Sequence, residues 1–170
     1  MTKASEEVYS SLRRRFKGDL LRPADSGYED ARAIWNGMVS RKPGLIARCA
    51  DVSDIQNAVR AGVECGIVTA VRCGGHSLAG FSTCEGGLVI DLSRLRQVTV
   101  DAGARRARIA GGCLLGSVDT ATQKAGLVFP SGVVSHTGAG GLILGGGTGW
   151  LARQFGLSCD NVEGFTLITA

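Results

Sequence analysis

The sequence predicts an α+β fold, and three observations carry that expectation. Between Pro43 and Val71 the pattern reads strand, helix, strand; further on, two β runs meet through a glycine-containing turn; and helical periods recur on either side of these short apolar runs. At 170 residues the chain has the length of one domain.

The elements follow in order. Residues 5–16 read as a helix because Val8, Leu12 and Phe16 recur at helical spacing, and 28–39 read as a second, with Pro23, Asp25 and Gly27 breaking the chain between them. This lead-in, residues 1–40, reads as packing rather than chemistry, and residues 41–170 form the main domain. LIARCA (45–50) is a buried strand; Ser53 is expected to cap a helix running to about Glu64; and Gly66 stops that helix before the strand IVTAV (67–71). The crossover implies parallel pairing. After the loop RCGGHSLAG (72–80) comes another buried strand, GLVIDL (87–92). QVTV (97–100) and RARIA (106–110) then form a hairpin across Asp101–Arg105. A helix from Leu114 to Lys124 ends at Gly126, LVFPSG (127–132) leads into GAGGLILGGGTG (138–149), WLARQF (150–155) is a last helix, and GFTLITA (164–170) is a closing strand.

Composition excludes several classes of function. Nineteen basic and fifteen acidic side chains give a net charge of only +4, and the one dense basic run, Leu12–Phe16, reads as the solvated face of a helix, so no nucleic-acid partner is expected. No apolar run approaches the ~18 residues of a membrane span. The amino terminus carries charge where a signal peptide needs an apolar segment, and the six cysteines (Cys49, Cys65, Cys73, Cys84, Cys113, Cys159) contain no C-x-x-C pair. The expectation is a cytoplasmic protein with reduced thiols and no metal site. Nothing in the sequence indicates an oligomeric state.

The 26 glycines are about twice the usual ~7% and gather in two places, Gly74–Gly80 and Gly132–Gly149. Glycine there lets backbone amides approach a phosphate, so two such clusters, the first preceded by Arg72, point to a bulky phosphorylated cofactor. The Walker pattern is absent. A nicotinamide-type match at Gly147–Ala152 lacks both the preceding strand and the acidic residue beyond it. His76 stands inside the first loop, either bonding the loop backbone or performing chemistry. Gly75-His76-Ser77-Leu78-Ala79 also approximates the nucleophile elbow of a serine hydrolase, with Ser77 as nucleophile, His136 as base and Asp91, Asp101 or Asp119 orienting it. That reading leaves the second glycine cluster without a role.

Longer motifs carry a resemblance. Arg72-Cys73-Gly74-Gly75-His76-Ser77, then GGLVIDLSRL, then FPSGVVSHTGAGGLILGGGTGWLARQFGLSCDN, together with the earlier R-P-x-D-x-G-Y and A-R-x-x-W-N stretches, resemble the FAD-binding domain of berberine-bridge-enzyme-like oxidases of the vanillyl-alcohol oxidase superfamily. The resemblance implies a PCMH-type FAD-binding fold of two α+β subdomains clasping FAD, with His76 bonded to the 8α carbon of the flavin. It implies that Arg72, Cys73, Gly74, Gly75, Ser77 and Gly80 meet the cofactor from the first loop. Pro130, Gly132, Val134, Thr137, Gly138, Gly141, Gly145, Gly146 and Gly149 would do so from the second. Val134 occupies the position where some members carry a second, cysteinyl link, so the chain is similar to the singly linked bacterial members of the 6-hydroxy-D-nicotine oxidase type. The implied reaction is hydride transfer from a small organic substrate to FAD, with dioxygen as acceptor and hydrogen peroxide as product; a flavin-binding fragment without turnover is the alternative. No catalytic residue is evident. Family members continue into a substrate domain, so the chain is expected to be truncated within its closing strand.

Overall fold

The computed structural model describes residues 2–169, which fall into two units: the described residues up to Arg94 and from Leu167 on, and Leu95–Thr166. In the first unit the elements run α1 (Lys3–Leu12), β1 (Asp19–Leu21), α2 (Tyr28–Arg32), β2 (Leu45–Arg48), α3 (Val52–Glu64), β3 (Thr69–Arg72) and β4 (Leu88–Asp91). The sheet order is β1-β2-β4-β3, with β1 antiparallel to β2 and β4 parallel to both of its neighbours.

The unbroken apolar runs of β2 and β4 follow from burial on two faces. Leu45, Ala47, Leu88 and Ile90 pack against Val8 and Leu12 of α1 and Ala58 and Ala61 of α3, while Ile46 and Val89 pack on the other side with Tyr28, Ala31, Ala70 and Cys84. Tyr28 keeps its buried hydroxyl satisfied by donating to the Pro43 carbonyl at 2.7 Å. The crossover strands are parallel as expected, but β2 and β3 are not neighbours, because β4, the most buried strand, inserts between them.

Several boundaries differ from the sequence expectation. α1 begins two residues earlier, capped by Thr2, and stops at Leu12, where Arg13–Arg15 form turns. Asp51, not Ser53, caps α3: its carboxylate accepts the Asp54 amide at 3.0 Å, and the Ser53 hydroxyl donates to the same carboxylate. The helix ends as anticipated at Gly66, which has φ +57°. The helix expected over 28–39 covers only Tyr28–Arg32, because the following residues turn aside to bond the loop after β3.

The second unit contains the hairpin β5 (Val98–Asp101) and β6 (Arg106–Ile109), then α4 (Leu115–Lys124), α5 (Ala139–Leu144), α6 (Ala152–Phe155) and a 3-10 turn at Cys159–Asn161. The hairpin pairs antiparallel with Asp101 opposite Arg106, and Asp101 Oδ1 closes the turn by accepting the Ala104 amide at 2.9 Å. Cys113, Leu115, Val118, Ala139 and Ile143 form its core, flanked by Val98, Ile109, Phe129 and Leu142. α5 lies inside the glycine-rich stretch, where no helix was expected. The closing strand expected at 164–170 is not one: residues 164–169 pair with no strand among the described residues, and Ala170 lies outside them.

Candidate functional site

The first glycine cluster leaves the carboxyl end of β3, the end of a parallel strand at which ligand-binding loops are usually carried. From Cys73 to Gly87 the chain has no regular structure, so its shape must come from elsewhere. It comes from residues 31–41. The Trp35 amide donates to the Gly75 carbonyl at 3.1 Å, Asn36 Nδ2 to the Leu78 carbonyl at 2.8 Å, and Arg41 Nη1 to the carbonyls of Gly80 (2.7 Å) and Thr83 (3.2 Å). In the reverse direction Arg72 Nη1 donates to the Ala31 carbonyl. Gly80, at φ +76°, lies against Val39, where a Cβ would come within 2.8 Å of a methyl carbon.

His76 sits inside this braced loop, partly buried, with its Nε2 buried. Its ring stacks on Trp35 with centroids 5.2 Å apart and planes 21° from parallel. Around it, donors stand ready. The amides of Gly74, Gly75 and Ser77 have no acceptor among the described residues, and the same holds for the buried Nε of Arg72. The buried hydroxyls of Ser82 and Thr83, which the sequence did not single out, likewise have no hydrogen-bond partner among the described residues.

The serine-hydrolase alternative loses its supports. Ser77 Oγ accepts the Phe81 amide at 3.0 Å, closing the loop, and β3 is followed by turns and then β4, whereas a nucleophile elbow needs a helix after the turn. Asp91 is committed to the Ser93 amide at 2.8 Å and pairs with Arg48 at 3.6 Å. Asp101 holds the hairpin turn.

In the second unit the glycine segment is fastened from below by Ser158. This fully buried residue donates its hydroxyl to the Pro130 carbonyl at 2.7 Å and its amide to the Gly147 carbonyl at 2.9 Å; the Cys159 amide reaches the Gly146 carbonyl at 2.9 Å. Nothing in the sequence pattern marked Ser158. The Thr137 carbonyl accepts the Leu115 amide at 3.0 Å, and Gly138 pairs with Leu114, so the segment is also tied to the start of α4. Val134 is exposed on a turn closed by the Thr137 amide at 3.0 Å, and His136 is exposed beside it. A Cβ at Gly132 would strike Leu142, and one at Gly149 would strike the Ser131 carbonyl, whereas Gly141 has open space before it. Gly145 ends α5, and Gly146 has φ +101°. Asp119 is half-buried, and burial pushes its carboxyl above the usual range against the opposing hydrogen bond from Ser131. Among the described residues no three His, Cys, Asp or Glu side chains gather to hold a metal, no helix is long and apolar enough to cross a membrane, and no cysteine is in a disulfide.

Comparison with known proteins gives one answer at three levels. Residues 43–170 match the family model described as an FAD binding domain. The chain is 38% identical over 154 residues to (R)-6-hydroxynicotine oxidase of Paenarthrobacter nicotinovorans, covering 91% of this chain and 34% of that protein. It is 38% identical over 118 residues to berberine bridge enzyme-like 3 of Arabidopsis thaliana, covering 66% of this chain and 22% of that one. The crystal structure of 6-hydroxy-D-nicotine oxidase from Arthrobacter nicotinovorans superposes with a TM-score of 0.83 at 36% identity, over 85% of this chain and 32% of that one. The chain thus spans about a third of the length of the first curated relatives it matches.

Proposed function

The chain belongs to the FAD-binding domain family shared by 6-hydroxynicotine oxidase and berberine-bridge-enzyme-like proteins, and from that premise we propose that it holds FAD covalently, through His76 alone, for a flavin-dependent oxidation of a small organic substrate. When bound, FAD supplies two-electron chemistry: it takes a hydride from a substrate C–H bond and passes the electrons to dioxygen, giving hydrogen peroxide.

The residues present fit this cofactor. His76 would hold the group, one ring nitrogen bonded to the 8α carbon; forming that bond would give up one C–H and one N–H hydrogen as protons, with dioxygen as the acceptor of the two electrons. Gly74, Gly75 and Ser77 offer three amides without acceptors, and Arg72 offers a buried charged donor; together they suit a pyrophosphate. Gly141 leaves room for a close approach to its backbone. Val134 has no thiol, so no second link forms.

The observation that carries the proposal is the seat of His76, a ring held against Trp35 in a loop with unused donors. The test is the denatured protein. After incubation with FAD, the polypeptide should fluoresce on a denaturing gel, His76→Ala should not, and peptide mapping should find one flavinylated peptide containing His76. Flavin released from the unmutated protein on denaturation, or an adduct on any cysteine, refutes the proposal. A second reading for these 170 residues is flavin binding without turnover. Under that reading, anaerobic mixing of the flavin-loaded chain with alcohols, sugars and cyclic amines leaves the flavin oxidised; bleaching followed by stoichiometric peroxide on admitting air rejects it.

A further inference from the structure

We propose that Trp35 is a positioning residue for flavin attachment: its indole face fixes the His76 imidazole in one orientation, and its backbone, with the neighbouring Asn36 side chain, holds the carrier loop in shape before the cofactor arrives. The inference rests on the reading of His76 as the attachment point.

Trp35 is a large aromatic residue that the core does not use. It is 56% exposed and belongs to none of the buried apolar clusters among the described residues. Its one described ring contact is the stack on His76. The same residue donates its amide to the carbonyl of Gly75, immediately before His76, so the indole is registered to the backbone that carries the imidazole. Asn36 pins the other flank: Nδ2 donates to the Leu78 carbonyl at 2.8 Å, while Oδ1 accepts the Met38 amide at 3.1 Å and so holds the side-chain amide in that orientation. Two consecutive residues therefore straddle His76 and Ser77.

The physical need is clear. A histidine on an irregular loop samples several staggered rotamers, but bond formation to the 8α carbon requires the ring nitrogen close to and aligned with that atom. A flat partner parallel to the imidazole removes most of that freedom before binding. Placing the partner outside the core lets it restrain the ring without altering the sheet beneath.

The experiment compares unmutated chain, Trp35→Ala, Trp35→Phe, Asn36→Ala and His76→Ala, each incubated as apoprotein with FAD and sampled over time for covalent fluorescence on denaturing gels. Loss of an aromatic stack should slow attachment by Trp35→Ala about 2- to 12-fold, with the unfolding midpoint little changed. Trp35→Phe, which keeps a ring face, should recover most of the rate, and Asn36→Ala should be slowed without loss of the stack. A second readout needs no flavin. In a Trp150→Phe background Trp35 is the sole indole of the chain, and its emission should be quenched as His76 is protonated, but not in the His76→Ala chain. Attachment by Trp35→Ala at the unmutated rate, Trp35→Phe as slow as Trp35→Ala, or an acid titration of emission indifferent to His76 overturns the inference while the reading of His76 stands. Covalent flavin on His76→Ala, or none on the unmutated chain, overturns the reading and the inference with it.

Discussion

Asp54 offers the sharpest test of how the first unit holds together. The residue has no solvent exposure, yet its carboxylate is fully used: Oδ1 accepts the Lys17 amide at 2.9 Å, and Oδ2 accepts the amides of Gly18 at 2.9 Å and Ala50 at 3.0 Å. One side chain in the first turn of α3 thus ties down both the segment entering β1 and the segment leaving β2. Asp54→Ala leaves three amides without an acceptor, each worth about 1–3 kcal/mol when buried. The three bonds are only partly buried, so the low end applies, and the loss is about 3 kcal/mol. Asp54→Asn keeps one carbonyl oxygen but turns an N–H donor towards another donor, so it should lose about half as much. At roughly 2–4 °C per kcal/mol for a chain of this size, the alanine variant should melt ~6–12 °C lower. Urea unfolding followed by circular dichroism reads the same loss, with the slope unchanged. An alanine variant within ~0.5 kcal/mol of the unmutated protein, or an asparagine variant as damaged as the alanine one, refutes the assignment of the energy to these three bonds.

Two aspartates should give opposite pH slopes. Hydrogen bonds from Lys17, Ser53 and the Asp54 amide hold Asp51 well below its ordinary 3.8, so its stabilisation is present above 3.8 and lost as pH falls below it; Asp51→Asn should flatten acid denaturation in that window. Burial lifts Asp119 above 3.8, so the unfolded chain ionises first and stability is lost as pH rises from 3.8 to the raised value; Asp119→Asn should gain on the unmutated protein only across and above that window, measured by unfolding at stepped pH. Burial, with Asp54, Asp91 and Asp51 nearby, pushes the Cys49 thiol up to about 12. Alkylation at pH 8 read by peptide mass should therefore modify the exposed Cys159 first and Cys49 only in denaturant.

What the sequence made legible was what burial on a regular element writes locally. β2 and β4 are apolar at every buried position but Asp91, the hairpin alternates about its turn, and α3 ends at a glycine in the left-handed region. What it concealed depends on distant partners. β1 is three half-buried residues that become a strand only by pairing with β2. α5 contains two glycines in six residues, poor helix formers, and is held by Ala139 and Ile143 in the core of its unit. The stretch 28–39 carries apolar residues at helical spacing, but Trp35 and Asn36 bond the loop after β3 instead, so local periodicity lost to tertiary hydrogen bonds. His76 could be found from its motif; the ring that orients it could not, because nothing local links position 35 to position 76.

The glycines carry a further lesson about cofactor loops. Their abundance alone suggests a backbone kept bare for a ligand, but the structure gives many of them work within the chain. Gly80 makes room for Val39, Gly132 for Leu142, Gly147 for the Ser158 side chain and Gly149 for the Ser131 carbonyl. Gly141 has open space before it, whereas Gly75 takes φ +69° in the histidine loop with Arg72 Nε 3.4 Å from where a Cβ would stand. The glycine segment of the second unit is therefore not a slack loop. With Ser158 fastened to the carbonyls of Pro130 and Gly147, close backbone packing fixes its course before any ligand binds. Rigidity of this kind lowers the ordering cost of binding, so glycine here acts less as a source of flexibility than as the residue that lets backbone pack on backbone.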